Sequence, residues 1–369
     1  MNAWNLTELE KCPEYKTIAS DGSVKAVLFK NEPFHGKPTE VFAYMGVPEN
    51  ASDSKPVPGM VCVHGGGGKA FKEWVELWTN RGYAAISMDF GGMGMDGERL
   101  KNAGPEQSHE AKFATELEWE DLWTYHAIAA VLRSHSLLRS LPGVDAEKTG
   151  VTGISWGGYL TCIAAGVDSR FKCAIPVYGC GFLQNNSAEE WMDIFAKMTL
   201  EQKKRWHELC DPSIYLPNAK MPILFVTGTN DFAYPMDSLK KSCSLPQGKV
   251  NLCIRLEMDH GHEAGWAPRE IETFAGSAFN GTEPLPELGK LSVSANKVSA
   301  VCKSKKKIKN AFLLHTCESK RWQDRKWHKS NAELNGNKIS AQLPENATVC
   351  FLAVEDENGA YASSPHEEL

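Results

Sequence analysis

Gly153-Ile154-Ser155-Trp156-Gly157 is the stretch of this 369-residue chain from which its fold can be inferred. It joins residues 149–154, which have the pattern of a buried strand, to residues 157–165, which have the pattern of a helix. A serine in a G-x-S-x-G pattern at such a junction occupies a sharp turn that presents its hydroxyl above the end of a sheet. The helix that follows favours negative charge at its N-terminus. The stretch therefore predicts a nucleophilic Ser155 at the carboxyl edge of a parallel sheet.

Two loops farther along the chain supply the acid and the base that an activated serine needs. Asp231 follows the predicted strand at residues 223–226. His260 and His262 follow the predicted strand at residues 250–256. The order serine, acid, histidine is the one that this architecture uses, and the carboxyl ends of parallel strands meet at one edge of the sheet. We therefore predict a triad with Asp231 as the acid, His260 as the base and His262 as the alternate base.

A glycine-rich loop, His64-Gly65-Gly66-Gly67-Gly68, follows the apolar run at residues 59–63. A continuous apolar run is typical of a strand buried on both faces, and glycine allows backbone N–H groups to turn towards an oxyanion. The predicted oxyanion-hole donors are the N–H of Trp156 and that of Gly66 or Gly67, and the sequence leaves open which glycine donates. Nucleophilic catalysis of this kind needs no metal and no organic cofactor.

Short apolar runs alternate with amphipathic stretches from residue 20 to residue 280, which predicts a mostly parallel sheet flanked by helices. Residues 113–134 have the apolar spacing of one long amphipathic helix. Residues 179–217 break the alternation and are too long for an ordinary connection. We expect them to form a cap-like insertion over the carboxyl edge of the sheet, and we call them the insertion.

The composition changes after Gly281, where Glu283-Pro284-Leu285-Pro286 has the character of a linker. Helical periodicity is lost beyond it, and Asn-Gly turns separate short apolar segments. We expect a catalytic domain at residues 1–283 and a small all-β sandwich at residues 284–369. The predicted strands of the sandwich are residues 291–298, 311–316, 338–343 and 349–354.

Two tryptophans near the predicted site are candidates for binding substrate. Trp191 lies in the insertion, and Trp266 comes shortly after the two histidines. Either indole could line the cleft and stack on a sugar ring. The competing interpretation for Trp191 is that it packs the insertion onto the rest of the domain, as most large aromatic side chains of such a segment do.

The composition excludes several classes of partner. With 40 Lys and Arg against 46 Asp and Glu the net charge is −6, so the chain has no global attraction for nucleic acid. No apolar run approaches the ~20 residues needed to span a bilayer, and the first residues lack the pattern of a signal peptide. We expect a soluble protein with no membrane partner, either cytoplasmic or exported with its signal already removed. The eleven cysteines form no C-x-x-C pair, which argues against a zinc or redox motif.

Four motifs resemble, in this order, those of the α/β-hydrolase superfamily: HGGGG at residues 64–68, GISWG at 153–157, GTND at 228–231 and DHGH at 259–262. Within that superfamily the chain resembles the acetyl xylan esterase-like and cephalosporin C deacetylase-like branch. That branch is related to the dienelactone hydrolase-like and prolyl oligopeptidase-like enzymes. The resemblance covers residues 20–280 and implies the α/β-hydrolase fold.

The same resemblance implies a serine carboxylic-ester hydrolase that removes acetyl or other small acyl groups from carbohydrate through an acyl-enzyme on Ser155. Its substrate would be a small-molecule or oligosaccharide ester. Two alternatives stay open. One is a serine peptidase of the oligopeptidase type, which uses the same triad, and the other is a non-catalytic carbohydrate-binding protein on a hydrolase scaffold.

Overall fold

The computed structural model describes residues 4–369, and within them residues 15–280 form a nine-stranded sheet flanked by helices, which we call the sheet domain. Its strands are β1 (Tyr15–Asp21), β2 (Val24–Phe34), β3 (Lys37–Gly46), β4 (Val57–Val63), β5 (Ala84–Met88), β6 (Val144–Ile154), β7 (Cys173–Val177), β8 (Ile223–Gly228) and β9 (Val250–Arg255). Their order across the sheet is β1-β2-β3-β5-β4-β6-β7-β8-β9. Strands β4 to β9 are parallel, whereas β1, β2 and β3 are antiparallel.

The parallel strands carry the loops of the predicted site at their carboxyl ends. Strands β5, β7 and β8 are buried along their whole length, which explains their uninterrupted apolar sequences. The glycine-rich loop at residues 64–68, called the glycine loop from here on, leaves β4, and Ser155 follows β6 directly. Asp231 lies after β8 and both histidines lie after β9. The sheet therefore delivers all four loops to one edge.

Helices connect and flank these strands. In residues 4–369 none of them is both long and apolar enough to cross a membrane. They are α1 (Leu6–Leu9), α2 (Lys72–Asn80), α3 (His109–Lys112), α4 (Trp123–Arg139), α5 (Trp156–Val167), α6 (Glu189–Lys197), α7 (Leu200–Cys210), α8 (Met236–Cys243), α9 (His262–Trp266) and α10 (Arg269–Asn280).

The single helix predicted over residues 113–134 is wrong in its first half. Helix α4 begins only at Trp123, and a short 3₁₀ turn at Trp119–Asp121 precedes it. The apolar residues before α4 are buried by contacts with distant parts of the chain rather than along one helical face. Phe113 stacks on Trp206 with ring centroids 5.5 Å apart, and the ring centroids of Trp119 and Trp4 are 4.9 Å apart. The apolar spacing before Trp123 therefore reflects these tertiary contacts and not one face of a helix.

The insertion folds as α6 and α7, followed by 3₁₀ turns at Pro212–Ile214 and Leu216–Asn218. Helix α7 begins with a capping box, in which the Thr199 hydroxyl accepts from the Gln202 N–H and the Gln202 side chain accepts from the Thr199 N–H. The buried Trp206 ties this helix to the sheet domain by donating its indole N–H to the Lys112 carbonyl at 3.0 Å.

Beyond α10 the described chain forms two five-stranded antiparallel sheets, which we call the β-sandwich. The segment predicted as one strand at residues 291–298 is a hairpin, because Ala295 adopts a positive φ of 50° and turns the chain between two strands. The strands are β10 (Glu287–Leu288), β11 (Ser292–Ser294), β12 (Lys297–Lys303), β13 (Ile308–Thr316), β14 (His328–Asn331), β15 (Glu333–Asn335), β16 (Lys338–Gln342), β17 (Val349–Asp356), β18 (Tyr361–Ser363) and β19 (Glu367–Glu368).

Strand β17 is buried on both faces, since the β-sandwich packs part of one sheet, formed by β13, β17 and β18, onto the sheet domain. Leu352 and Val354 point into the core of the β-sandwich. Phe351 and Ala353 alternate with them and belong to the main core of the sheet domain. At the seam the Ile254 N–H of β9 donates to the Ser363 hydroxyl of β18 at 2.9 Å. One face of this sheet therefore extends the core of the sheet domain, and the opposite face packs into the separate core of the β-sandwich.

Candidate active site

Ser155 occupies a strained turn between β6 and α5, with φ 58° and ψ −118°. A non-glycine residue in this region is held only where the surroundings demand it. The Ser155 N–H donates to the Val177 carbonyl at 2.8 Å. A Cβ on Gly157 would collide with the Val63 carbonyl, and one on Gly153 would collide with Gly157. The glycines on both sides of the serine are therefore required by close backbone contacts, as the sequence pattern predicts.

Asp231 and His260 are joined by a hydrogen bond of 2.7 Å between Oδ2 and Nδ1. The other carboxylate oxygen of Asp231 accepts the N–H groups of Ala233 at 2.9 Å and Tyr234 at 2.7 Å. The Asp231 side chain is fully buried, and the His260 ring stacks on Tyr178 with centroids 4.5 Å apart. An imidazole that donates from Nδ1 to a carboxylate presents the lone pair of Nε2. This is the arrangement of a general base.

His262 has a different partner. Its Nε2 accepts the N–H of Gly65 in the glycine loop at 2.9 Å, and its ring packs on Phe71 with centroids 4.6 Å apart. Burial, together with the positive charge available at His260, lowers the pKa of His262 and favours the neutral ring that can accept this bond. The structure therefore pairs His260 with the acid and His262 with the glycine loop.

The glycine loop lies against the turn that holds the serine. The N–H of Gly68 donates to the Gly65 carbonyl at 3.1 Å, so the bonds of Gly65 and Gly68 hold the loop in shape. Gly66 and Gly67 are exposed, and their N–H groups have no acceptor in residues 4–369. A Cβ on Gly66 would come within 2.7 Å of the Trp156 ring. The N–H of Trp156, the first of α5, has no intrahelical acceptor either, so all three predicted donors are free of intramolecular backbone partners in residues 4–369.

His64 lies behind the glycine loop and is fully buried. Its Nδ1 donates to the Gly65 carbonyl at 2.7 Å, and its ring stacks on Phe90 at a centroid distance of 3.8 Å. Burial lowers the pKa of His64 to about 3, so the ring is neutral at physiological pH. His64 therefore supports the loop from below and does not act as a titrating group.

Lys112 at the end of α3, which the sequence did not single out, lies beside Gly66 of the glycine loop. It is only 4% exposed, and its ammonium lies 4.9 Å from the ring centroid of Trp156 and 5.5 Å from that of Trp123. Burial lowers the pKa of Lys112 to about 8. A lone lysine among apolar residues is a weak sequence signal, because such residues usually extend their charged end to solvent.

The two predicted substrate-binding tryptophans differ in accessibility. Trp191 is 5% exposed and packs between Trp156 and Tyr234, at centroid distances of 4.7 and 5.4 Å. This burial does not fit an indole that stacks on a sugar ring, and Trp191 instead packs α6 beside the turn that carries Ser155. Trp266 is partly exposed and packs against Trp74, with ring centroids 5.3 Å apart.

The eleven cysteines all lie within the described residues and are free thiols. Burial raises the pKa of Cys62, Cys162, Cys173 and Cys253, so these thiols are neutral at physiological pH and act as small apolar side chains. No group of three His, Cys, Asp or Glu side chains in residues 4–369 is arranged to hold a metal ion.

Comparison with known proteins gives one family match and one curated relative. The profile of the prolyl oligopeptidase family matches residues 69–276, more than half of the chain, a range that contains Ser155, Asp231 and His260. Acetyl esterase Axe7A of Xylanibacter ruminicola is 26% identical over 158 residues, which cover 40% of this chain. The match spans only 35% of that relative's length.

Two solved structures are similar over most of their length. The acetyl xylan esterase of Paenibacillus sp. R4 has a TM-score of 0.59 at 19% identity, covering 70% of this chain and 87% of that one. Acetyl xylan esterase 1 of Thermoanaerobacterium sp. JW/SL YS485 has a TM-score of 0.58 at 14% identity, covering 74% and 93%. The predicted α/β-hydrolase fold with a C-terminal β-sandwich is confirmed by this likeness and by the sheets described above.

Proposed function

This chain belongs to the prolyl oligopeptidase family, and we propose that it is a serine carboxylic-ester hydrolase that removes acetyl or other small acyl groups from carbohydrate. One observation carries the proposal: a strained serine, an Asp231–His260 hydrogen bond and exposed glycine N–H groups converge on one edge of the sheet. The acetyl esterase and acetyl xylan esterases to which the chain is similar support the choice of ester over amide.

In the proposed mechanism the Ser155 hydroxyl attacks the ester carbonyl while His260 Nε2 takes its proton. Asp231 holds the imidazole in the tautomer that accepts this proton and stabilises the imidazolium that forms. The N–H groups of Trp156 and of Gly66 or Gly67 bind the oxyanion. His260 then protonates the departing alcohol, which leaves an acyl group on Ser155.

Water completes the cycle. His260 removes a proton from a water molecule, the hydroxide attacks the acyl carbonyl, and Ser155 leaves with that proton as the carboxylic acid is released. The net reaction is one ester and one water converted to one acid and one alcohol. Every proton in this sequence passes through His260.

Replacement of the nucleophile tests the proposal. Ser155→Ala should lower kcat/KM for p-nitrophenyl acetate by about 10⁴-fold or more, because members of a triad act as a unit. The matched measurement is the unfolding temperature of the variant, which should stay close to that of the natural chain. Unchanged turnover in Ser155→Ala would refute the assignment of Ser155.

A substrate panel then tests the class of reaction. Acetate release from acetylated xylo-oligosaccharides should far exceed cleavage of aminoacyl-naphthylamides by the same preparation. Preferred cleavage of the amides would instead favour a peptidase. Binding of the oligosaccharides with no turnover of any ester would favour a non-catalytic protein.

A further inference from the structure

Lys112 is held rigidly beside the glycine loop. Its backbone is fixed at the end of α3, where its carbonyl accepts the Trp206 indole N–H at 3.0 Å. Its ammonium lies over two indole faces, those of Trp156 and Trp123. It is 3.4 Å from the position that a Cβ on Gly66 would take, and therefore within about 5 Å of the Gly66 Cα. Lys112 thus lies next to one of the candidate oxyanion donors.

The charge of Lys112 is uncompensated. Burial alone lowers its pKa, and none of the carboxylates in residues 4–369 lies within ion-pair distance of its ammonium. Asp168 differs in this respect, because it bonds to His135 and Arg170, with the shortest contacts 2.7 and 2.6 Å. A buried cation without an anion is costly, and two indole faces offset only part of that cost.

A costly buried charge beside a reactive serine indicates a side chain that binds a ligand and not one that only fills the core. At Lys112 the missing partner is an anion, and the adjacent exposed face of the glycine loop is where a substrate must lie. A substrate that brings its own anion would supply the partner.

We propose that Lys112 is a specificity-determining residue whose ammonium binds a carboxylate carried by the ester substrate. The inference rests on the proposed ester hydrolysis and names its substrate class: esters in which a carboxylate lies a few bonds from the scissile carbonyl. That carboxylate belongs either to the acyl group or to the sugar, as in a uronic acid. Neutral esters lack it and leave the ammonium unpaired.

Two matched substrate pairs test the inference and distinguish the two sources of the carboxylate. The acyl pair is p-nitrophenyl hydrogen glutarate against p-nitrophenyl valerate, with uncatalysed rates subtracted. The sugar pair is acetylated methyl glucuronoside against acetylated methyl glucoside. We expect kcat/KM for the acidic member of at least one pair to exceed that of the neutral member by about 10-fold or more, as a charge-assisted hydrogen bond allows.

The variants assign the preference to one side chain. Lys112→Met keeps the length of the side chain and removes a desolvated charge, so it should fold, and the acidic-to-neutral ratio should fall by about 10-fold. Lys112→Arg keeps the positive charge and should therefore retain part of the preference for the acidic ester. Lys69→Met is the matched control, because Lys69 is an exposed lysine directly after the glycine loop and its loss should leave the ratio unchanged.

Several outcomes would overturn the inference. Ratios near one for both pairs in the natural chain, an equal loss on acidic and neutral esters in Lys112→Met, or the same change in Lys69→Met would each do so. If the neutral esters are hydrolysed without any acidic preference, only this inference fails. If no ester of either kind is hydrolysed, the proposed function fails with it.

Discussion

At the scale of single residues, two histidines two positions apart have separate environments because their ring nitrogens meet different partners. His260 donates from Nδ1 to Asp231, and His262 accepts at Nε2 from the N–H of Gly65. In the proposed mechanism the first contact prepares a base, and the second bonds His262 to the glycine loop beside the turn at Ser155. The ring of Tyr178 stacks on the ring of His260 and also restricts the orientation of that imidazole.

We predict that the two histidines differ in the size of their mutational effects. His260→Ala should lower kcat by about 10⁴-fold or more, because the proton acceptor is lost. His262→Ala should lower kcat by up to about 100-fold with little change in KM, because the glycine loop loses its support but the base remains.

The conservative variant His262→Gln supplies the control for that comparison, since an amide oxygen can accept the Gly65 N–H and should restore part of kcat. Steady-state kinetics on p-nitrophenyl acetate measures all three variants. A loss in His262→Ala as large as that in His260→Ala, without rescue by glutamine, would make His262 the base instead.

At the scale of elements, the junction of β6 and α5 is shaped by backbone atoms that touch without side chains between them. Gly157 faces the Val63 carbonyl of β4, and Gly158 faces the Val177 carbonyl of β7. The helix therefore sits directly on its neighbouring strands, which lifts Ser155 above the edge of the sheet. Ser155 keeps its strained φ of 58° because these contacts leave its backbone no room for another conformation.

We predict that Gly157→Ala destabilises the fold by at least about 3 kcal/mol, since the added methyl group meets backbone that cannot move aside. Gly104→Ala is the control, because its added Cβ would meet nothing closer than 3.5 Å and should change stability by less than about 0.5 kcal/mol. Denaturant unfolding of both variants measures the difference. Equal midpoints would contradict the role assigned to the close contact.

At the scale of the whole molecule, the β-sandwich bonds to the loop that carries Asp231, the proposed acid, which we call the acid loop. The Asn230 amide donates to the carbonyls of Gln323 at 3.0 Å and Arg325 at 2.6 Å, and Asp231 is the next residue. The Gln323 amide in turn donates to the Ser187 carbonyl of the insertion at 3.1 Å. One segment of the β-sandwich thus connects the acid loop to the insertion.

We predict that Asn230→Ala lowers kcat by about 10-fold with a smaller change in KM, because Asp231 loses its fixed position while the substrate contacts remain. Lys240→Ala is the control, since the ion pair of Lys240 with Glu367 also joins the two parts but is largely exposed and makes no hydrogen bond to the loop of Asp231. Steady-state kinetics with thermal unfolding checks both variants. Equal kcat values would remove Asn230 from the positioning of Asp231.

The features that the sequence by itself determined are those that depend on residues close together along the chain. Apolar runs mark the buried strands β4 to β9, glycines mark the turn at Ser155 and the glycine loop, and the order of the motifs follows from the chain. These features depend on residues that are neighbours in sequence, so their pattern can be read without a structure. The edge strand β1 escaped prediction, because most of its residues are exposed and lack an apolar face.

Only the tertiary structure decided which histidine meets Asp231, how deeply Trp191 is buried and where α4 begins. It also revealed Lys112, whose indole partner Trp156 is distant in sequence, and the docking of one β-sandwich sheet onto the sheet domain. Each of these depends on contacts between segments far apart in the chain. The burial and charge environment of a side chain are properties of those contacts, and no local pattern carries them.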